Sequence, residues 1–365
     1  MGFYTRILRP ILFKVDPETT HNLALQLGKF CGNHKLTRWL LCFLYNYKNK
    51  KLHIAIKGIK FDNPIGLAAG FDKNALLTNI IPCIGFGFME VGSITGEPCE
   101  GNPKPRIFRL PKDKALVVNY GLCNDGAEIT AKRLRNKRFK IPLGINIAKT
   151  NDKKIKGQAS IEDYYKAYSL LKNTGSYITI NISCPNTGDG RSFEDPFLLE
   201  KLLNKIGKTD KIIFLKISPD LSYESINQII KLGEKYHVSG FIVANLTHDR
   251  TGLISDKKKL VNIKGSVSGP QVRKKTDELI KHVYKKTQGK FIIIGVGGVF
   301  TAEDAYQKIK NGASLVQLIT GMIYKGPSVV KNINRGLVKL IKRDGFRNIQ
   351  EVIGADARKE KVKFA

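Results

Sequence analysis

The sequence predicts an α/β fold, a TIM (β/α)8 barrel preceded by a small N-terminal helical extension. Two observations carry this. From about residue 55 onward, short apolar runs rich in Ile, Val, Leu and Gly recur, and polar stretches with helical periodicity separate them. A third is positional: polar residues gather at the C-terminal ends of the runs. Near-continuous apolar strands suit a parallel sheet whose outer face is covered by helices. Eight such units in roughly 270 residues fit a closed barrel better than an open sheet.

Residues 1–50 come first and read differently from the rest. The stretches 3–15, 20–31 and 36–47 are amphipathic or apolar, and each is too short to span a bilayer. They set Arg6, Arg9, Lys14, Lys29, Lys35 and Arg38 beside Phe, Leu, Tyr and the only tryptophan, Trp39. That pattern suits a membrane interface, and it equally suits a helical cap on the bottom of a barrel. The barrel is expected over 51–345, with its strands in the runs 63–71, 86–95, 141–148, 177–186, 212–220, 240–247, 290–299 and 315–322. Helices are expected between them, for example over 160–175, with Tyr164, Ala167, Tyr168 and Leu171 on one face, and over 222–236 and 301–312, which open at Ser or Thr with an acidic residue close behind. Residues 346–365 read as a C-terminal tail.

Composition narrows the function classes. An apolar fraction of 42% and a charged fraction of 25% are ordinary for a folded soluble protein. The six cysteines form no CxxC pair and no compact framework, which favours reduced thiols and argues against structural zinc; no metal site is expected. The formal charge of +31 draws polyanions, whether nucleic acid or an anionic membrane surface. Its lysines are scattered, no nucleic-acid-binding motif accompanies them, and no nucleic-acid partner is expected.

The chemistry-bearing residues sit where a barrel places its active site, at the strand ends: Lys73, Asn146, Asn181 to Asn186, Lys216, Asn245 and Gly298. A strand-end lysine can neutralise a reduced flavin or a substrate oxygen, or it can pair with an interior carboxylate such as Glu90. Asn119, Asn146, Asn181, Asn186 and Asn245 offer both donors and acceptors, as recognition of a planar ring with N–H and C=O edges requires. The glycines of GVGGV (295–299) and Thr320-Gly321 close the seventh and eighth runs, where barrels commonly hold a phosphate. Cys184 follows an apolar strand with no histidine placed to activate it as a nucleophile, so it reads as a proton acceptor.

Taken together, these residues resemble dihydroorotate dehydrogenase, in its membrane-associated, quinone-reducing class. The resemblance runs through VDPETTHNLA (15–24), NPIGLAAGFDKN (63–74), GNPKPRIFRL (101–110), LGINIAK (143–149), NISCPNT (181–187), LKISPD (215–220), SGP (268–270), IIGVGG (293–298) and ASLVQLITG…YKGP (313–327). It implies FMN held by Ala69, Gly70, Lys73, Ser93, Asn146, Asn181, Lys216, Gly269, Gly298 and Thr320. It implies dihydroorotate gripped by Lys73, Asn119, Asn181, Asn186 and Asn245, with Cys184 as the base that takes the C5 proton while C6 passes hydride to the flavin. A membrane quinone would then reoxidise the flavin between the N-terminal helices. The protein would be peripheral, on the cytoplasmic face of a bacterial-type inner membrane, in de novo pyrimidine synthesis.

The sequence departs from that pattern in four places. Cys184 stands where the quinone class has serine, and cysteine belongs to the soluble class. The loop VVNYGLCND (117–125) lacks the usual Arg–Met pair after its asparagine. Ala244 replaces a flavin-contacting threonine, and Ile319 a tyrosine near the phosphate site. The altered loop leaves open a diverged FMN oxidoreductase acting on a related dihydropyrimidine. The charge leaves open a flavin-free basic barrel that binds anions.

Overall fold

The computed structural model describes residues 2–183, 193–256 and 260–359. All eight apolar runs form strands of one closed barrel. In chain order these are β1 (Ile65–Leu67), β2 (Phe88–Ile94), β3 (Leu143–Ile147), β4 (Tyr177–Asn181), β5 (Ile213–Ile217), β6 (Gly240–Val243), β7 (Ile292–Val296) and β8 (Leu315–Leu318). Every neighbouring pair is parallel, and β8 closes onto β1 through Val316↔Ile65. Strands β1, β3, β4, β5, β6 and β8 are buried at every position, which is why they read as unbroken apolar runs.

Glycine sets how closely some strands approach. A Cβ added to Gly240 of β6 would lie 1.9 Å from the Ile292 carbonyl oxygen of its partner β7. Backbone cannot swing aside as a side chain can. Gly240→Ala is expected to destabilise the fold by about 3 kcal/mol, read from the denaturant midpoint. A loss under about 1 kcal/mol would show that β6 and β7 can part without cost.

The expected helices form between the strands, with one shift at a boundary. Tyr223–Lys235 starts at Ser222, whose hydroxyl accepts from the Ser225 amide. Ala302–Lys310 starts at Thr301 with a reciprocal capping box to Asp304. The third spans Gln158–Leu171, so Ser160 lies inside its first turn and does not cap it; Gly157, at positive φ, begins the helix instead. Residues 346–359, within the segment read as a tail, carry two short helices, and the Gly354 amide bonds to the Ile309 carbonyl.

The N-terminal segment forms helices α1 (Pro17–Asn33) and α2 (Lys35–Tyr45) after two short turns over Tyr4–Leu12. Asp16 caps α1 by accepting from Thr19, and Pro17 fits its first turn. The segment does not cap the bottom of the barrel. Tyr4, Leu12, Phe13, Pro17, Thr20, His21 and Ala24 line the same cavity as the C-terminal strand ends. A three-stranded antiparallel sheet (Ile107–Leu110, Ala115–Val118 and Ser266–Ser268) completes that mouth.

Candidate active site

One cavity of about 570 Å3 opens at the C-terminal ends of the strands, within the range of small-molecule and cofactor sites. Its barrel wall carries Ala69, Gly70, Lys73, Ser93, Asn181, Lys216, Asn245, Gly298 and Thr320, and Asn119 reaches it from the antiparallel sheet. Two other expected residues stand just behind this wall. Asn146 is fully buried and meets the cavity through Ser93, whose hydroxyl bonds to its Oδ1. Gly269 follows Ser268, which does line it. Cys184 and Asn186 lie outside the described residues.

The amides form a connected chain. Asn245 Nδ2 donates to Ser183 Oγ at 2.7 Å, and Ser183 Oγ donates to Asn181 Oδ1 at 3.0 Å. Asn181 Nδ2 donates to Ser93 Oγ at 2.9 Å. Beyond Ser93, Asn146 Nδ2 donates to Glu90 Oε1 at 2.8 Å. Asn119 stands apart, its Oδ1 accepting from Asn102 Nδ2 at 2.9 Å. Among the described residues, the surplus of asparagines thus resolves into one hydrogen-bonded row and one separate residue.

The two strand-end lysines differ in their surroundings. Lys73 places its ammonium 3.6 Å from the Tyr120 ring centroid, and Arg106 covers the same ring at 4.9 Å. Burial is the main cause that lowers the Lys73 pKa to about 8, and the Arg106 charge lowers it further. Lys216, buried at the end of β5, is pushed down by burial and held up by the Glu90 charge. The Glu90 charge thus acts on Lys216, while Lys73 faces an aromatic ring.

Residues not singled out beforehand complete the mouth. His21 lies edge-on to Phe71 at 5.0 Å between centroids, and its Nε2 is buried without a hydrogen-bond partner. Burial, with the nearby Lys73 charge, lowers its pKa to about 3, so the ring is neutral at ordinary pH. Glu18 of α1 takes a bidentate pair from Arg106, with the Nη2 to Oε1 contact at 2.7 Å. Both lay within the resembling segments 15–24 and 101–110, but nothing local announces a contact across that span.

Glycine and small hydroxyls shape the far end. Gly70 has φ +110, and a Cβ built there would meet only Ile319 Cδ1 at 3.8 Å and fill cavity space. Ser268 and Thr320 hydroxyls lie 2.6 Å apart on the wall, next to Gly297 and Gly298, both at positive φ. At the start of the helix after GVGGV, the Asp304 carboxylate accepts from the Phe300 and Thr301 amides. A phosphate at this end would meet the glycine turn and Thr320.

Comparison with known proteins decides the family. The dihydroorotate dehydrogenase family model matches residues 51–341. The chain belongs to the dihydroorotate dehydrogenase family. It is 38% identical over 352 residues to a protein of Gloeobacter violaceus named dihydroorotate dehydrogenase (quinone), covering 96% of this chain and 98% of that one. A protein of the same name from Christiangramia forsetii is 40% identical over 343 residues, covering 92% and 99%. The crystal structure of the Eimeria tenella dihydroorotate dehydrogenase in complex with ferulenol superposes with a TM-score of 0.80 at 31% identity, covering 94% of this chain and 96% of that one. The ligand-free form of that enzyme gives 0.81, covering 93% and 99%. The match to the Gloeobacter violaceus protein and the structural superpositions extend beyond the residues that the family model covers.

Proposed function

We propose that the protein oxidises dihydroorotate to orotate with FMN as its cofactor and passes the electrons to a membrane quinone. The observation that carries this reading is the composition of the cavity at the C-terminal strand ends. Its barrel wall presents amides and two lysines, and its opposite wall is built by the apolar N-terminal helices. The donor set fits the flavin: Ser93, Asn181 and Lys216 offer hydrogen bonds to a planar ring edge, and the bare backbone at Gly70 leaves room for it. Gly297, Gly298 and Thr320 suit the phosphate, with Ala69 and Gly269 beside the ring and the turn.

FMN, when bound, supplies the hydride acceptor. The chain's own residues do the rest. Lys73 sets a positive charge where the substrate carboxylate binds, and Asn119, Asn181 and Asn245, with Asn186, read the ring's N–H and C=O groups. Cys184, three residues beyond the end of β4, takes the C5 proton. The apolar walls exclude water from the reacting atoms.

Lys73 makes binding pH-dependent with a definite sign. Its ammonium is lost as pH rises through about 8, so orotate should bind progressively more weakly above that pH. Equilibrium titration of the holoenzyme with orotate between pH 7 and 9.5 checks this. A flat profile would show that the cation does not hold the carboxylate.

The N-terminal helices favour docking on a membrane surface. Among the described residues no helix is long and apolar enough to cross a membrane. Most of the exposed large apolar side chains nevertheless lie within residues 3–44, including Leu36 at 75%, Trp39 at 65% and Phe43 at 73% exposure. Arg6, Lys14, Lys29 and Lys35 stand beside them. An apolar face fringed with basic residues suits an anionic bilayer, from which a quinone enters between the helices. Steady-state turnover with a quinone analogue, compared with fumarate and NAD, tests the acceptor. Preference for the quinone is expected, and preference for fumarate would leave these helices with no part in electron transfer.

A further inference from the structure

Deep in the barrel, below the cavity, lies a carboxylate that the proposed chemistry does not use. Glu90 of β2 is fully buried. Its Oε1 accepts from Asn146 Nδ2 at 2.8 Å. Its Oε2 accepts from Tyr177 OH at 3.2 Å, Thr179 Oγ1 at 3.1 Å and Gln317 Nε2 at 3.1 Å. Four donors drawn from β3, β4 and β8 fill the lone pairs of one carboxylate. Burying such a group costs several kcal/mol, which an apolar core would avoid. Core packing alone therefore gives no reason for it.

The reason is directional. An asparagine amide can sit either way round, but a carboxylate only accepts. Facing Glu90, Asn146 must turn its Nδ2 inward, which leaves its Oδ1 toward Ser93. Ser93 must then donate to Asn146, so its remaining lone pair accepts from Asn181 Nδ2. With Nδ2 committed, Asn181 offers Oδ1 to Ser183, and Ser183 in turn accepts from Asn245 Nδ2. Each bond in the row has its direction set by the one before it, and the row starts at Glu90.

We infer that Glu90 is a positioning residue, which fixes the donor and acceptor faces that Asn181, Ser183 and Asn245 turn to the substrate and flavin ring. A ligand whose edge carries both N–H and C=O groups is bound only when those faces are the right way round, so a reversed amide turns two attractions into two repulsions. The inference rests on the proposed dihydroorotate and FMN site. It adds that the specificity of this site is set about three side chains away from the ligand. The Glu90 charge also supports the buried Lys216 ammonium, which lines the same cavity.

Glu90→Gln keeps the shape but places a group opposite Asn146 that can donate as well as accept, so the row is free to run either way. Orotate affinity, read without turnover from the flavin absorbance change, should fall at least tenfold, and FMN affinity of the apoprotein, read by fluorescence quenching, should fall with it. Glu90→Asp, which keeps the acceptor, should recover most of the orotate affinity. Tyr177→Phe removes a donor from the other oxygen and leaves the Asn146 bond in place, so orotate affinity should stay within twofold even if thermal stability drops. Should Glu90→Gln not fold, Asn146→Leu cuts the row at its next link and should show the same loss. Wild-type affinities in either Glu90→Gln or Asn146→Leu overturn the inference, as does an equal loss in Tyr177→Phe. The wild-type titration run alongside reports on the dihydroorotate reading itself, so the two failures are distinguishable.

Discussion

Cys184→Ala is expected to retain FMN and to lose between about a hundredfold and ten-thousandfold in the rate at which dihydroorotate reduces the flavin, the range a positioned general base contributes. Asn181 brings the end of β4 to the cavity wall and Ser183 bonds to its side chain; Cys184 is the next residue. A thiol with an ordinary pKa near 8.5 is a few per cent thiolate at neutral pH, which suffices for a base whose substrate proton is held beside it. Cys184→Ser should therefore remain active with its pH optimum moved upward, since a hydroxyl gives up its proton less readily. Rapid-mixing absorbance of the anaerobic holoenzyme across pH measures both variants. Unchanged reduction in the alanine variant would put the base elsewhere.

Arg106→Ala is expected to carry the largest stability cost of any single side-chain truncation at the cavity mouth, about 3–5 kcal/mol. The Arg106 and Glu18 side chains are 7% and 9% exposed, and their closest contact is 2.7 Å. Arg106 also donates to the carbonyls of Glu100 at 2.7 Å and Asn102 at 3.0 Å. Removing it leaves a buried carboxylate whose nearest remaining cation is the exposed Lys104, 3.5 Å away. The double variant Glu18→Leu/Arg106→Met should cost less than Arg106→Ala alone, because it buries no unpaired charge. Denaturant unfolding of the three proteins decides, and a double variant no more stable than the single one would contradict the account.

The same pair has a pH signature. Burial pushes the Glu18 carboxyl up, but the Arg106 hydrogen bonds and charge, with Lys104, pull it below its ordinary value overall. Its contribution is thus fully present above the ordinary carboxyl range and is lost as pH falls through the lowered folded-state value. The tie between α1 and the loop 101–110 should loosen only in acid.

The barrel was legible in the sequence because its strands are buried on both faces, and burial on both faces leaves an unbroken apolar run. The site was legible for a related reason. Polar residues such as Lys216, Asn181 and Asn245 interrupt those runs where a strand reaches the cavity, while Glu90 and Gln317 interrupt them in the buried interior. What could not be read is pairing across the chain. Nothing near Glu18 announces Arg106, 88 residues on, and nothing in loop 117–125 announces that the Tyr120 ring meets two cations. Lys73 and Lys216 look alike as strand-end lysines, yet one meets an aromatic ring and the other feels the charge of a buried carboxylate. The side of the barrel that the N-terminal helices cover was likewise undecided, because amphipathic periodicity says which face is buried and not against what.

The central claim is that this cavity oxidises dihydroorotate, and anaerobic mixing of the FMN-loaded protein with dihydroorotate tests it most directly. Full bleaching of the flavin absorbance in a single phase is expected, with one equivalent of orotate formed per flavin. A flavin that stays oxidised with saturating dihydroorotate, while still reducible by dithionite, would contradict it.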